Sequence, residues 1–562
     1  MKIQIGKFLN KRLKEIGIEH IFGVPGDFNL SYLEQVEEDD AIEFVGNCNE
    51  LNAAYAADGY ARIRGFGALV TTYGVGDLSS IGGIAGSYTE NIPVVHISGA
   101  PPLHAMKNNA LLHHTLVDGN YQNVMNCMRE FTVAQTLITP ANAAYEIDRV
   151  LKTGYLERRP VHLQLPSDIT HLEIEVEDVP LILQDPTSDT FQLEKAVNVI
   201  TDMLNHARQP VIMVDIEADR FGLTELLIKI SNNFQIPVIC LPPAKNMMNE
   251  HSPYYYGVYA GAASSPEVKQ MVENSDCLIG VGLRFTDAST ALFTHKIDEE
   301  YFVDLKRHDL KIGNRQFPGV MIKELLENIS EKNSLRTQVT SVARQPKLLK
   351  SNFDNISEDN PITQEVLWSY VESTMKDNDV VFGEVGTSNI ALSSLVFPEK
   401  LKYISQPIWG AIGYTVPALF GSLIADKNRR QFLFIGDGSI QLTAQEISSI
   451  VRYKLKPIIF VLNNYGYTIE RFILGLKSAY NDVHNWQYTK LLDVFDEKGD
   501  YQTHIVKNLK DLKDAFRIIE NNKLTLIEVQ LDPLDAPEKL KIFANAFAKY
   551  DYGERFDELR VD

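Results

Sequence analysis

Two short polar marks in the last third of the chain hold residue types that could do chemistry together. Gly436-Asp437-Gly438 closes the apolar run FLFI, and Asn463-Asn464 closes the apolar run IIFVL. Residues 439 to 462 lie between the marks, the length of one helix plus one strand. A parallel strand–helix–strand unit delivers both strand ends to one sheet edge, where doubly wound folds bind ligands. Asp437 and Asn464 are therefore expected as neighbours. Two oxygen side chains beside a glycine turn suit Mg²⁺, which takes few protein ligands and completes its octahedron with phosphate oxygens. A helix starting near Leu442 would aim its N-terminal amides at the same place and hold a diphosphate. A lone GDG is a common turn, whereas GDG and NN at this spacing, each ending an apolar run, form a specific signal.

The stretch from Phe432 to Gly475, with GDGS followed by NNYGYTIERFILG, resembles the diphosphate-binding motif of thiamine diphosphate (ThDP) enzymes. Its continuation resembles the pyruvate, indolepyruvate and branched-chain 2-oxo acid decarboxylases, and the resemblance covers essentially the whole chain. It implies ThDP and Mg²⁺ as cofactors, with the metal held by Asp437, Asn464 and the carbonyl of Gly466, and with Gly436, Gly438 and Ser439 beside the diphosphate. Thr387 and Ser388 in GEVGTSN match the family's cofactor-contacting turn. Gly410 and Ile412 in QPIWGAIGYT match the carbonyl that meets the aminopyrimidine and the apolar side chain that wedges the cofactor into its bent form.

Glu50 follows the strand pattern IEFVG and opens an Ala-rich helix. On its own, a glutamate in a helix's first turn is a charge–dipole partner or a cap. By resemblance it hydrogen-bonds the aminopyrimidine and promotes removal of the thiazolium C2 proton, a task suited to a carboxyl of raised pKa. Asp27, in a Pro-Gly-Asp turn, and the adjacent His113 and His114 would ordinarily read as loop residues, and HH alone gives no zinc-type spacing. In the pyruvate decarboxylase-like branch the matching residues transfer protons, which separates that branch from the acetohydroxyacid synthases. Glu470 matches the second catalytic acid. The implied reaction is non-oxidative decarboxylation of a 2-oxo acid to an aldehyde and CO₂, through an ylide and an enamine, with the thiazolium as electron sink. The alternatives are pyruvate decarboxylation proper, carboligation, and a ThDP-binding scaffold without catalysis.

Relatives read NNDGYTxExxIHG across the second mark, whereas this chain has Tyr465, Phe472 beside Arg471, and Leu474 in place of the histidine. Residues three and four apart share a helix face, so Glu470, Ile473 and Leu474 are expected on one surface. That cluster is expected to favour larger apolar 2-oxo acids. Matches to specificity positions add Ala288, Asn389, Ile469 and Phe543 as pocket candidates.

These residues need a scaffold that aligns several strand ends. The 562 residues exceed one hydrophobic core and imply several domains. Strand candidates HIFGVP, IEFVGN, ALVTTYG, VVHISG and VHLQLP fall before residue 180. PVIMVD, PVICLP, CLIGVGL and FVDL form a second group, and VVFGEVG, the GDG and NN strands, and LTLIEVQL a third. Alternation with helical stretches predicts an α/β protein of three doubly wound parallel-sheet domains. The resemblance implies a pyrimidine-binding domain over 1–180, a middle domain over 191–340, a linker over 341–361, and a diphosphate-binding domain with a C-terminal tail over 362–562. It also implies a cofactor at a subunit interface, with Glu50 and the GDG site from different chains. A homodimer is then the minimum active unit, and dimers pairing into a homotetramer are usual in the family.

Hydrophobic content of 44% and charge of 23% fit a soluble globular protein. The net charge of −20 disfavours nucleic acid and anionic membranes as partners. No apolar run approaches the roughly 18 residues of a membrane span, and the first residues read as an amphipathic helix with Ile5, Phe8, Leu9 and Leu13 on one face, not as a secretory signal. Four scattered cysteines fit a reducing cytoplasm. The middle region has no G-x-G-x-x-G fingerprint, so neither FAD nor NAD is expected.

Overall fold

The computed structural model describes residues 1–332 and 356–556, together with 335, 337, 338 and 353. Most of the expected 341–361 linker, and the last residues of the expected tail, lie outside them. Three sheets account for the alternating pattern. The first has strand order Glu43–Gly46, His20–Gly23, Gly67–Thr72, Val94–Ala100, Val161–Pro166, Gln135–Leu137, all parallel. The third runs Lys402–Ile404, Val380–Gly383, Gln431–Gly436, Ile458–Asn463, Leu524–Gln530, Tyr501–Val506, again all parallel. Between them in sequence lies a seven-stranded sheet whose first five strands are parallel and whose last two, Asp309–Ile312 and Arg315–Gln316, turn back antiparallel.

The first helix occupies Ile5–Glu15 with Ile5, Phe8, Leu9 and Leu13 all buried. It is preceded by a short strand, Lys2–Gln4, that pairs antiparallel with Glu173–Glu175. The polar stretch after residue 173 is thus anchored at its start.

The first and third sheets share one core, in which Phe22, Ala56 and Tyr60 pack with Tyr414, Phe420 and Ile435. Helix Glu50–Arg64 and helix Thr415–Ala425 meet there almost backbone to backbone. A Cβ at Gly59 would lie 2.0 Å from the Ala418 carbonyl oxygen, and one at Gly421 would lie 1.8 Å from that of Ala56. Only hydrogen fits at either position, and this close approach fixes the helix that begins with Glu50 against the domain that carries the GDG strand.

Candidate active site

The GDG and NN strands are neighbours in register, Gly436 opposite Leu462, so both marks leave the same sheet edge. The helix expected near Leu442 begins at Asp437 itself and runs to Thr443. The turn needs no loop beyond Gly436, because that residue takes the extended N-cap conformation. Asp437 is buried and accepts N–H bonds from Gly438 at 2.8 Å and Gly466 at 3.0 Å. Burial nevertheless raises its pKa to about 6.

The Asn464 amide reports what the site is built to hold. Its oxygen faces the Gly466 carbonyl oxygen at 2.8 Å and Asp437 Oδ1 at 3.3 Å, and its nitrogen faces Thr468 Oγ at 2.8 Å. Without a cation the reversed amide would satisfy all three neighbours by hydrogen bonding. Three converging oxygens instead match adjacent corners of a Mg²⁺ octahedron, roughly 2.9 Å apart for metal–oxygen distances near 2.0–2.1 Å. Thr468 Oγ donates to the Pro533 carbonyl at 3.0 Å, which leaves its lone pairs free to accept from the Asn464 nitrogen and turns the amide oxygen inward. Gly466, at φ +143°, presents its carbonyl from a conformation in which a Cβ would lie 2.1 Å from the Asn481 carbonyl oxygen. The donor set fits Mg²⁺.

A cavity of about 470 Å³ opens beside this cluster, lined by Thr387, Ser388, Gly410, Ile412, Gly436, Asp437, Gly438, Ser439, Asn464, Gly466, Ile469 and Glu470. The expected cofactor residues of the third domain therefore surround one space. Glu470 stands exposed at its mouth, and partial burial of the carboxyl raises its pKa. Sequence reasoning missed Glu384, a buried carboxyl beneath the cavity. It accepts from the Val385 amide at 3.1 Å and from the Thr415 amide at 3.3 Å, which ties the Thr387 turn to the loop bearing Gly410 and Ile412. Burial lifts its pKa to about 7. A charged residue directly after the apolar strand VVFG was the available signal.

Glu50, Asp27, His113 and His114 do not line that cavity. They gather at the corresponding edge of the first sheet. Asp27 Oδ2 lies 2.8 Å from His113 Nε2, and Asp27 Oδ1 3.8 Å from His114 Nδ1. The two histidines converge from a turn in which His114 takes the left-handed φ of +60°, and His113 stacks on Phe28 with centroids 5.0 Å apart. Glu50 opens its helix behind the N-cap Asn49, and its Oε1 would lie 3.2 Å from a Cβ at Gly76. One chain thus carries two separate polar groupings, Asp437, Asn464, Gly466 and Glu470 at one sheet edge and Asp27, His113, His114 and Glu50 at the other.

The pocket candidates fall at several places around this cavity. Of the seven candidates only Ile469 lines the cavity. Asn389 points away, accepting from the Tyr403 hydroxyl at 2.6 Å beside a different, basic cavity, because the polar amide is better satisfied there than against an apolar wall. Helix Thr468–Ile473 ends before Leu474, which is extended at φ −156°, so Glu470 and Leu474 do not share a helix face. Phe472 lies within 5.9 Å of Lys541 Nζ on the packed C-terminal helix Glu538–Tyr552. Phe543 packs against Phe547 in that helix, with centroids 4.6 Å apart and the rings tilted by 47°, and neither Ile473 nor Ala288 lines the cavity.

Comparison with known proteins gives three matches in chain order: the thiamine pyrophosphate enzyme N-terminal TPP binding domain over residues 3–122, the central domain over 197–327, and the C-terminal TPP binding domain over 384–529. Pyruvate decarboxylase isozyme 1 of Saccharomyces cerevisiae is 38% identical, covering 96% of this chain and 97% of its own. The pyruvate decarboxylase of Aspergillus fumigatus is 39% identical over 97% of each. A solved thiamine diphosphate-dependent 4-hydroxybenzoylformate decarboxylase from Rhodococcus jostii RHA1 shares the fold, with a TM-score of 0.76 at 18% identity over 94% of this chain and 99% of that one. The sequence relatives match nearly the whole molecule. The chain belongs to the family of thiamine diphosphate-dependent 2-oxo acid decarboxylases.

Proposed function

We propose that this decarboxylase holds its ThDP through Mg²⁺ at Asp437, Asn464 and the Gly466 carbonyl, and releases an aldehyde and CO₂ from a 2-oxo acid. The observation that carries this reading is the convergence of three oxygens at the edge of a cavity whose mouth bears an acid of raised pKa. When bound, the cofactor supplies an electron sink for the pair left by departing CO₂. The chain supplies the rest. Ile412 and Ile469 give the cavity apolar wall. Glu470 keeps a proton to higher pH than a free glutamate and is placed to deliver it. Asp27 orients His113 and gives the half-site of the first domain a path for protons.

A homodimer is the minimum active unit in this reading, since the half-sites do not share a cavity within one chain. Exposed Val75, Leu78, Leu116 and Val117 near the first half-site, and Trp409 and Leu442 near the second, supply apolar surface for such contact. Pairing of dimers into tetramers is the further expectation. The domains are assigned to 1–180, 191–340 and 362–562, with the linker at 341–361. Four free thiols support a reducing cytoplasm.

For the acyl chain two readings stand. The first is larger apolar 2-oxo acids, which the apolar or aromatic Tyr465, Phe472 and Leu474 suggest. The second is pyruvate, the substrate in the names of the sequence relatives. Aldehyde release from a panel of 2-oxo acids, from pyruvate through branched, aromatic and long linear chains, with and without ThDP and Mg²⁺, tests both. Cofactor-dependent aldehyde is the expected result. Hydroxyketone in its place would mean carboligation, and no product with ThDP bound would mean a scaffold.

A further inference from the structure

We propose that Glu446 is a positioning residue for Glu50, a carboxylate from the diphosphate-binding domain that fixes the start of the helix on which the activating glutamate sits. This rests on the reading of Glu50 given above. Glu446 is fully buried, and its hydrogen-bond donors come from the first domain. Asn47 Nδ2 donates to Oε1 at 2.9 Å, Asn52 Nδ2 donates to Oε2 at 2.8 Å, and the Cys48 amide donates to Oε2 at 3.2 Å. A buried carboxylate is tolerated only where such donors satisfy it.

The three donors bracket Glu50 on both sides in sequence. Asn47 is itself held by the strand His20–Gly23, through the Gly23 amide donating to its Oδ1 at 3.2 Å and its own amide donating to the Gly23 carbonyl at 3.0 Å. Asn49 caps the helix by accepting from the Asn52 amide at 2.8 Å. The segment is therefore tied at the bottom to its own sheet and at the side to Glu446. Glu446 ends the 3-10 turn Ala444–Glu446, which continues directly from the helix Asp437–Thr443. One continuous piece of chain thus carries a metal ligand at one end and the clamp on Glu50 at the other.

The test reads exchange of the thiazolium C2 proton for deuterium in ThDP bound to the full-length enzyme, by acid quench and NMR. Exchange reports the work assigned to Glu50 without requiring turnover. Four proteins are compared with the parent: Glu446→Gln, Glu50→Gln, the double variant, and Asn52→Ala, which removes one donor and leaves the carboxylate in place should Glu446→Gln fail to fold. Glu446→Gln is expected to slow exchange by about tenfold or more, the scale on which outer supporting groups act. The double variant should be no slower than Glu50→Gln, because one residue acts through the other. Asn52→Ala should slow exchange in the same direction. Exchange at the parent rate in both Glu446→Gln and Asn52→Ala, or a double variant slower by the product of the two single effects, would overturn the proposal. Parent-rate exchange in Glu50→Gln would instead overturn the reading of Glu50 on which it rests.

Discussion

Thr468 shows how a residue with no ligand role can set one. Its hydroxyl donates to the Pro533 carbonyl and stands 2.8 Å from the Asn464 side-chain nitrogen, so in the proposed site it would accept from that amide and turn the amide oxygen toward Asp437 and the Gly466 carbonyl. Thr468→Val should lower Mg²⁺ affinity by about 10–100-fold in titrations followed by ThDP binding, while Thr468→Ser keeps it. Glu470→Gln should bind ThDP normally and reduce kcat by about 100-fold or more, the range for a general acid. Glu384 has a different signature, in stability. Its folded pKa of about 7 lies above the unfolded glutamate value, so the native state holds an extra proton between them and stability falls as pH rises through that window. The cost is absent below about pH 4.3, and is complete above the folded pKa at on the order of 3 kcal/mol. Glu384→Gln should flatten the slope of Tm against pH in the apo-protein over that window, and an unchanged slope would remove the assignment. Asp437 and Asn464 were legible in the sequence because their types and spacing carry the chemistry. Thr468, Glu384 and Glu446 were not, because each acts through a contact distant in sequence, with Pro533, with Thr415 and with residues 47–52.

At the level of elements, the sequence pattern found the buried strands and missed most of the edges. Gly67–Thr72, Val94–Ala100 and Ile458–Asn463 are buried along their whole length and read as largely apolar runs without polar–apolar alternation. Gln135–Leu137, Lys402–Ile404 and Tyr501–Val506 lie at sheet edges, are only partly buried and escaped notice. An edge strand has one paired side and tolerates polar residues, so periodicity is a weak guide to it. The helix pair that joins the first and third domains was equally hidden, since an Ala- and Gly-rich helix advertises neither its partner nor its distance. Gly421→Ala forces a methyl against the Ala56 carbonyl. It should destabilise the protein by about 1–3 kcal/mol in urea unfolding, as overpacking of a tight core does, and a loss under 0.5 kcal/mol would show that the helices can separate cheaply.

Across the whole molecule, three sheets place two sets of reactive groups at two strand-end edges. The three-domain α/β plan followed from alternating strands and helices, whereas the family resemblance was needed to expect that the sets meet between two copies. The most direct measurement is complementation. Glu50→Gln and Glu470→Gln disable different half-sites, and each should be nearly inactive alone. Co-expressed and purified through different tags on the two variants, a mixed dimer has one doubly disabled site and one intact site. Selected through both tags, the mixed dimer should release aldehyde at about half the wild-type rate, and the unselected, randomly paired population at about a quarter. Co-expressed protein as inactive as either variant, with mixed dimers demonstrably present, would place both half-sites in a single chain and contradict the account.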